Sequence, residues 1–270
     1  MQRYLIEFSY DGSRYHGWQI QPNGITVQAV LQECLSLLLR CEVEVVGAGR
    51  TDAGVHARKM FAHFDLDSGE GDSCCLFSCS DLTYKLNRML PCDISVKRII
   101  PVDRELHARF SATKRTYHYY LHTEKDPFRR HYSWETHYSL DFDKMNEAAA
   151  YLIDVHDFAS FCKTGADVKT TICHVKTSRW INDGGGCWHF EISADRFLRN
   201  MVRAVVGTLV EVGRGRMSID EFKTAVASCS RSAAGESMPA HALFLVDVAY
   251  PEELLLLRPS ATSDSAVLCG

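Results

Sequence analysis

The chain has 270 residues, 46% hydrophobic and 24% charged, with a formal net charge of −4. These values fit one large or two small soluble globular domains, and the absence of any run of about 18 apolar residues excludes a transmembrane helix. Eleven cysteines include no Cys-x-x-Cys pair. Cys75 and Cys79 are separated by three residues, and Cys173-His174 has no second pair at a finger-like distance. Reduced thiols, some of them core residues such as Cys34 and Cys187, are therefore expected in place of disulfides or a metal site.

Tyr4, Ile6, Phe8 and Tyr10 alternate along a half-buried strand over residues 3–10, which Asp11-Gly12 ends. Because this N-terminus alternates and lacks a signal peptide's apolar core, a cytoplasmic protein is expected. Thr26 is placed to cap a helix to about Leu39, with Val27, Val30, Leu31, Cys34, Leu35 and Leu38 at helical spacing. Strands are predicted over 43–46 and 60–66, then a polar surface loop over 68–80. A helix from about Asp81 must stop before Pro91, and a strand follows over 93–100.

The second half repeats this grammar. It has a strand over 116–121, a helix over 141–153, and a hairpin of 175–181 and 187–194 around Asn182-Asp-Gly-Gly-Gly186. A helix over 197–212 follows, then one opened by a Ser218/Glu221 capping box, and a last strand over 243–248. The organisation is α+β: two similar halves, 1–105 and 106–250, each a mainly antiparallel sheet flanked by helices. Residues 251–270 form a tail, expected to be mobile after Pro259.

Chemistry concentrates in Gly47-Ala-Gly-Arg-Thr-Asp-Ala-Gly-Val-His56. Glycines allow positive φ and close approach of another chain, and a carboxylate next to an arginine keeps its charge. Asp52 therefore reads as a presented nucleophile or base with Arg50 as electrostatic partner, or as a tight turn with a surface ion pair. Tyr117 and Tyr119 share one strand face, either as core aromatics or as a stacking platform for a base. Arg196, Arg199 and Arg203 fall at i, i+3 and i+7 of the predicted helix, a solvated edge or a phosphate track.

Residues 107–132 hold six basic against two acidic residues, and 196–216 five against one, a local +4 in each. Such stripes can attract phosphate on an acidic body. Asp154-Val-His156-Asp157 reads as a loop or cap in preference to a metal site. Gly213 and Gly215 follow a helix and do not open one, so no phosphate-cradling loop is indicated.

Five ordered stretches resemble the TruA family of tRNA pseudouridine synthases, over roughly residues 1–250. They are Gly49-Arg-Thr-Asp-Ala-Gly-Val-His56, Tyr10-Asp-Gly-Ser-Arg-Tyr-His-Gly-Trp-Gln19, Phe110-Ser-Ala-Thr-Lys-Arg-Thr-Tyr-His-Tyr119, Phe197-Leu-Arg-Asn-Met-Val-Arg-Ala-Val-Val-Gly207 and Pro239-Ala-His-Ala-Leu-Phe-Leu245. The resemblance implies the pseudouridine synthase fold, with an active-site cleft between the halves. It implies Asp52 as catalytic group, Tyr117 against the target uracil, and Arg203 reaching Asp52 from the second half. Arg50, Arg58 and Arg14 would line the RNA path, with Arg199 on the arginine stripe.

The implied substrate is the anticodon arm of tRNA, about positions 38–40 in tRNA convention, with the target base leaving its stack to meet Asp52. A homodimer and no cofactor are implied. Ser80-Asp81-Leu82 and Ala242, where the family pattern has glycine, depart from the resemblance and bear on loop contacts. Two other classes compete: a non-catalytic tRNA-binding or RNA-chaperone module, and a metal-dependent hydrolase built on Asp and His.

Overall fold

The computed structural model describes residues 1–66, 78–165 and 169–255. Most of the predicted 68–80 loop and the tail beyond Leu255 lie outside those residues. In chain order the first half contributes β1 (Gln2–Tyr10), α1 (Val27–Leu39), β2 (Val46–Gly47), β3 (His56–Leu66), α2 (Cys79–Met89) and β4 (Ile94–Val102). The second contributes β5 (Lys114–His122), β6 (Trp134–Glu135), α3 (Phe142–Tyr151), β7 (Val175–Gly184), β8 (Cys187–Ala194), α4 (Met201–Gly213), α5 (Ile219–Ala227), β9 (Leu243–Ala249) and a last turn, α6 (Glu252–Leu255).

The strands join into a single sheet in the order β4-β1-β3-β9-β5-β8-β7, with β2 beside β3 and β6 beside β5. Within each half the long ladders are antiparallel, β4/β1/β3 in one and β9/β5/β8/β7 in the other. The halves meet through a short parallel contact between β3 and β9, His56↔Phe244 and Ala57↔Leu245.

Two buried apolar clusters follow the same division. The first holds Leu5, Ile6, Phe8 and Met60 of the sheet with Leu31 and Leu35 of α1. The second holds Tyr119, Phe190 and Ile192 with Met201, Val205 and Leu209 of α4. Each fully buried Leu or Phe in them contributes about 1.5–3 kcal/mol. Tyr117 packs against both clusters, so it stands at the seam.

The predicted helices start and stop near their chemical signals. The Thr26 hydroxyl accepts from Ala29 N–H, Asp141 caps α3 by accepting from Lys144 N–H, and Ser218 with Glu221 closes a reciprocal capping box on α5.

Two of the differences from the sequence expectation have a clear cause in side-chain hydrogen bonding. The strand predicted over 43–46 shrinks to Val46–Gly47, because α1 takes its backbone groups. Ser36 Oγ accepts from Val43 N–H, Gln32 Oε1 from Val45 N–H, and Gln28 donates to the Val45 carbonyl. The helix predicted from Phe197 begins at Met201. The Asp195 carboxylate captures the N–H groups of His174 and Arg196 at 2.8 and 2.7 Å, a local competitor to helical bonding. Asn200 then sits at φ 67°, in the left-handed region, where a right-handed helix cannot pass. Arg196 and Arg199 thus precede α4 and share no helical face with Arg203.

Candidate active site

The loop between β2 and β3 carries Asp52, and its shape is set by contacts from the segment after β1. Trp18 N–H donates to the Thr51 carbonyl at 3.2 Å, and Tyr10 shares a 2.8 Å hydrogen bond with the Thr51 hydroxyl. Gly17, at φ 88°, lies so close to the Thr51 carbonyl oxygen that any Cβ there would collide with it. Gly54 turns the chain at φ 77°, and Val55 N–H closes the turn on the Asp52 carbonyl at 3.1 Å. Of the glycines expected to hold the loop open, Gly54 makes the turn, while Gly17, outside the motif, admits the loop's backbone.

The Asp52 carboxylate, 27% exposed, faces two arginines of the second half. Arg203 Nη1 lies 3.4 Å from Oδ2, and Arg199 Nε lies 3.9 Å from Oδ1. Arg203 is held in place, because its Nε donates to the Met238 carbonyl at 2.6 Å while Met238 N–H returns to the Arg203 carbonyl. Arg199 is 61% exposed, so its pair contributes little to stability and its charge is available to a polyanion. The expected partner, Arg50, is exposed and forms no ion pair with Asp52. Sequence proximity misled for Arg50, whereas Arg203, which the resemblance implied, does reach the carboxylate, from about 150 residues away across the seam.

Tyr117 reaches the same site. Burial pushes its hydroxyl up to about 12, with Arg115 opposing and the Asp52 charge reinforcing the shift, so the ring is neutral at ordinary pH. Phe197 packs edge-on against it at 5.1 Å. Tyr119 is fully buried in the second cluster, the core role expected for one of the pair.

The chain is similar to three proteins named tRNA pseudouridine synthase A. It is 55% identical to that of Parabacteroides distasonis, over 94% of this chain and 98% of that one. It is 50% identical to that of Porphyromonas gingivalis over 95% and 100%, and 39% identical to that of Bacillus subtilis over 92% and 99%. The family model described as tRNA pseudouridine synthase matches residues 148–251. The chain belongs to the tRNA pseudouridine synthase A family. Membership makes it an isomerase of tRNA processing that forms pseudouridine.

Set within that family, the remaining arginines divide. Arg58 extends from β3 over the rings of Tyr120 and Phe244, at 5.1 and 5.3 Å. Tyr120 alternates with Tyr117 and Tyr119 on β5, so Arg58 occupies the sheet face opposite Tyr117. Arg14, 75% exposed, pairs with Asp93 at 3.3 Å. Neither is among the residues paired with Asp52.

One residue that matters was counted only as part of a basic stripe. Arg115 donates to the carbonyls of Ala48, Ala112, Asp195 and Arg109. It fastens β5 and the β4–β5 connection to the base of the Asp52 loop. Nothing in the local sequence distinguishes such an arginine from a phosphate-binding one. Asp157, in the Asp-Val-His-Asp run, accepts from Ala159 N–H at 2.9 Å, a turn-forming role. Among the described residues no three His, Cys, Asp or Glu side chains converge as a metal ligand set, and no helix is long and apolar enough to cross a membrane.

Proposed function

We propose that Asp52 is the catalytic group of this synthase, acting on a uridine flipped from the anticodon arm of tRNA. The observation that carries the reading is the convergence of Arg203 and Arg199 on a partly exposed Asp52 carboxylate at the seam of the two halves. A charge-assisted arginine pair orients the carboxylate oxygens. Pseudouridine formation breaks the bond from uracil N1 to C1′ and makes one from C5 to C1′. The C5 proton leaves, N1 gains a proton, and the atom count is unchanged. A carboxylate supplies nucleophilicity or basicity for this without any redox step.

Tyr117 lies beside Asp52 with a neutral hydroxyl and a ring face at the seam. Stacking of a flipped base on such a ring is worth about 1–3 kcal/mol, enough to offset part of the few kcal/mol that unstacking costs. Arg199 and Arg50 are exposed and serve the phosphates that flank the flipped nucleotide. The reading includes a homodimer, carried by family resemblance, and a cytoplasmic location, carried by the alternating N-terminal segment.

The test is Asp52→Asn, nearly isosteric but with an amide in place of the carboxylate. Tritium release from [5-³H]uridine-labelled anticodon-arm tRNA should vanish while tRNA binding persists. Turnover within tenfold of the unmodified protein would remove Asp52 from the chemistry.

A further inference from the structure

The connection between β4 and β5 displays an aromatic that no fold requirement explains. Phe110 is 76% exposed, although burying such a ring would contribute about 1.5–3 kcal/mol. The segment beneath it is pinned. His107 Nδ1 accepts from the N–H groups of Arg109 and Phe110 at 3.1 and 3.3 Å, and Ser111 Oγ accepts from His107 N–H. The Ala108 N–H goes to His63 Nδ1, and its carbonyl accepts from Tyr250. The side chains form a layered unit. The His107 ring lies 4.4 Å from the Phe110 ring, and the Arg109 guanidinium sits over Phe110 at 5.6 Å. Arg109 is exposed and has no ion pair among the described residues.

The unit is also positioned relative to Asp52. A single nitrogen, Arg115 Nη2, donates to both the Arg109 carbonyl and the carbonyl of Ala48 at the root of the Asp52 loop. The exposed ring and the candidate catalytic loop are thus referenced to one half-buried cation. A rigid, cation-capped, solvent-facing aromatic beside an RNA site has the chemistry of a base-stacking platform.

We propose that Phe110, with Arg109, is a second stacking site for the tRNA substrate, taking an unpaired nucleobase outside the flipped uridine while Arg109 faces an adjoining phosphate. The proposal rests on the reading of Asp52 as the reaction centre, and the experiment keeps the two apart. Full-length tRNA transcript is titrated against the unmodified protein and against Phe110→Ala, Phe110→Leu, Phe110→Trp and Arg109→Gln. Each is made both alone and in the Asp52→Asn background, where turnover is absent.

Phe110→Ala and Phe110→Leu should weaken binding about 5- to 150-fold, and Phe110→Trp should restore it. Arg109→Gln should reduce the salt slope of binding by about 1. Thermal midpoints should be unchanged, because the ring is exposed. Equal affinity of Phe110→Ala and the unmodified protein overturns the proposal. So does Phe110→Leu binding as tightly as Phe110→Trp, since apolar area without a ring face would then suffice. A loss of oligomer mass in Phe110→Ala by light scattering also overturns it, assigning the ring to contact between copies of this chain. If Asp52→Asn retained turnover while Phe110→Ala still lost affinity, the reaction-centre reading would fail and the stacking site would stand.

Discussion

At the scale of single residues, Arg203 carries more of the site than its neighbours. Its Nε is committed to the Met238 carbonyl, which leaves Nη1 aimed at Asp52. That division of one planar group between a structural acceptor and a functional one is what lysine cannot reproduce, having a single nitrogen on a flexible stem. Arg203→Ala should therefore lower the single-turnover rate at saturating enzyme by at least about tenfold, and Arg203→Lys should recover only part of that, with tRNA affinity changed less than the rate. Unaltered rates for both variants would separate Arg203 from the chemistry. Arg199, exposed and 3.9 Å from the carboxylate, belongs with binding more than with orientation.

At the scale of elements, the β4–β5 connection depends on a histidine of β3. His63 is 4% exposed and accepts the Ala108 N–H on Nδ1 at 3.1 Å, which only the neutral ring can do. Burial is the main cause that pulls His63 from 6.5 down to about 4, with the charges of Arg3 and His107 adding to it and Asp65 opposing. In the unfolded chain the histidine takes up its proton near 6.5, before the folded one does. The stability linked to neutral His63 is therefore complete above 6.5 and is lost as pH falls toward about 4. His63→Gln keeps an acceptor that does not titrate, so its thermal midpoint should fall less steeply across that window than the unmodified protein's. Parallel profiles would show that the folded His63 protonates as readily as the unfolded one.

At the scale of the whole molecule, the question is how a chain of net charge −4 holds a polyanion. Much of the charge in the two basic segments is already engaged. Arg115 is held by carbonyls, Lys114 is 3.8 Å from Asp247, and Arg129 is 2.9 Å from Asp126. Arg214 and Arg216 both face Glu211, and Arg203 faces Asp52. Arg109, Lys125, Arg130, Arg196 and Arg199 remain for phosphate. With about 0.7–0.9 counterions released per contact, log K for tRNA should fall with log salt at a slope of roughly −3 to −5 per protomer. A slope near zero would dispose of the basic segments as the binding surface, and one twice as steep would mean that the internal pairs open on binding.

Much of the secondary structure was legible because its signals are local. Alternation gave β1 and most of β3, and the caps at Thr26 and Ser218 marked the starts of α1 and α5. The motif around Asp52 was likewise visible, since a turn of glycines around a carboxylate is a feature of consecutive residues. Where polar side chains competed for backbone groups, local signals failed. Gln32 and Ser36 replaced a strand with side-chain bonds, and Asp195 delayed α4. The pairing at the site was out of reach of local signals for another reason, and only the family resemblance pointed to Arg203. Arg50, Arg199, Arg203 and Arg115 look alike in sequence, and which of them meets Asp52 depends on how β3 and β9 join the halves. The chain by itself determined the elements and the reactive loop. Which arginine faces the carboxylate is decided by the tertiary structure and not by local sequence, because electrostatic pairing falls off over a few ångströms and takes no account of separation along the chain.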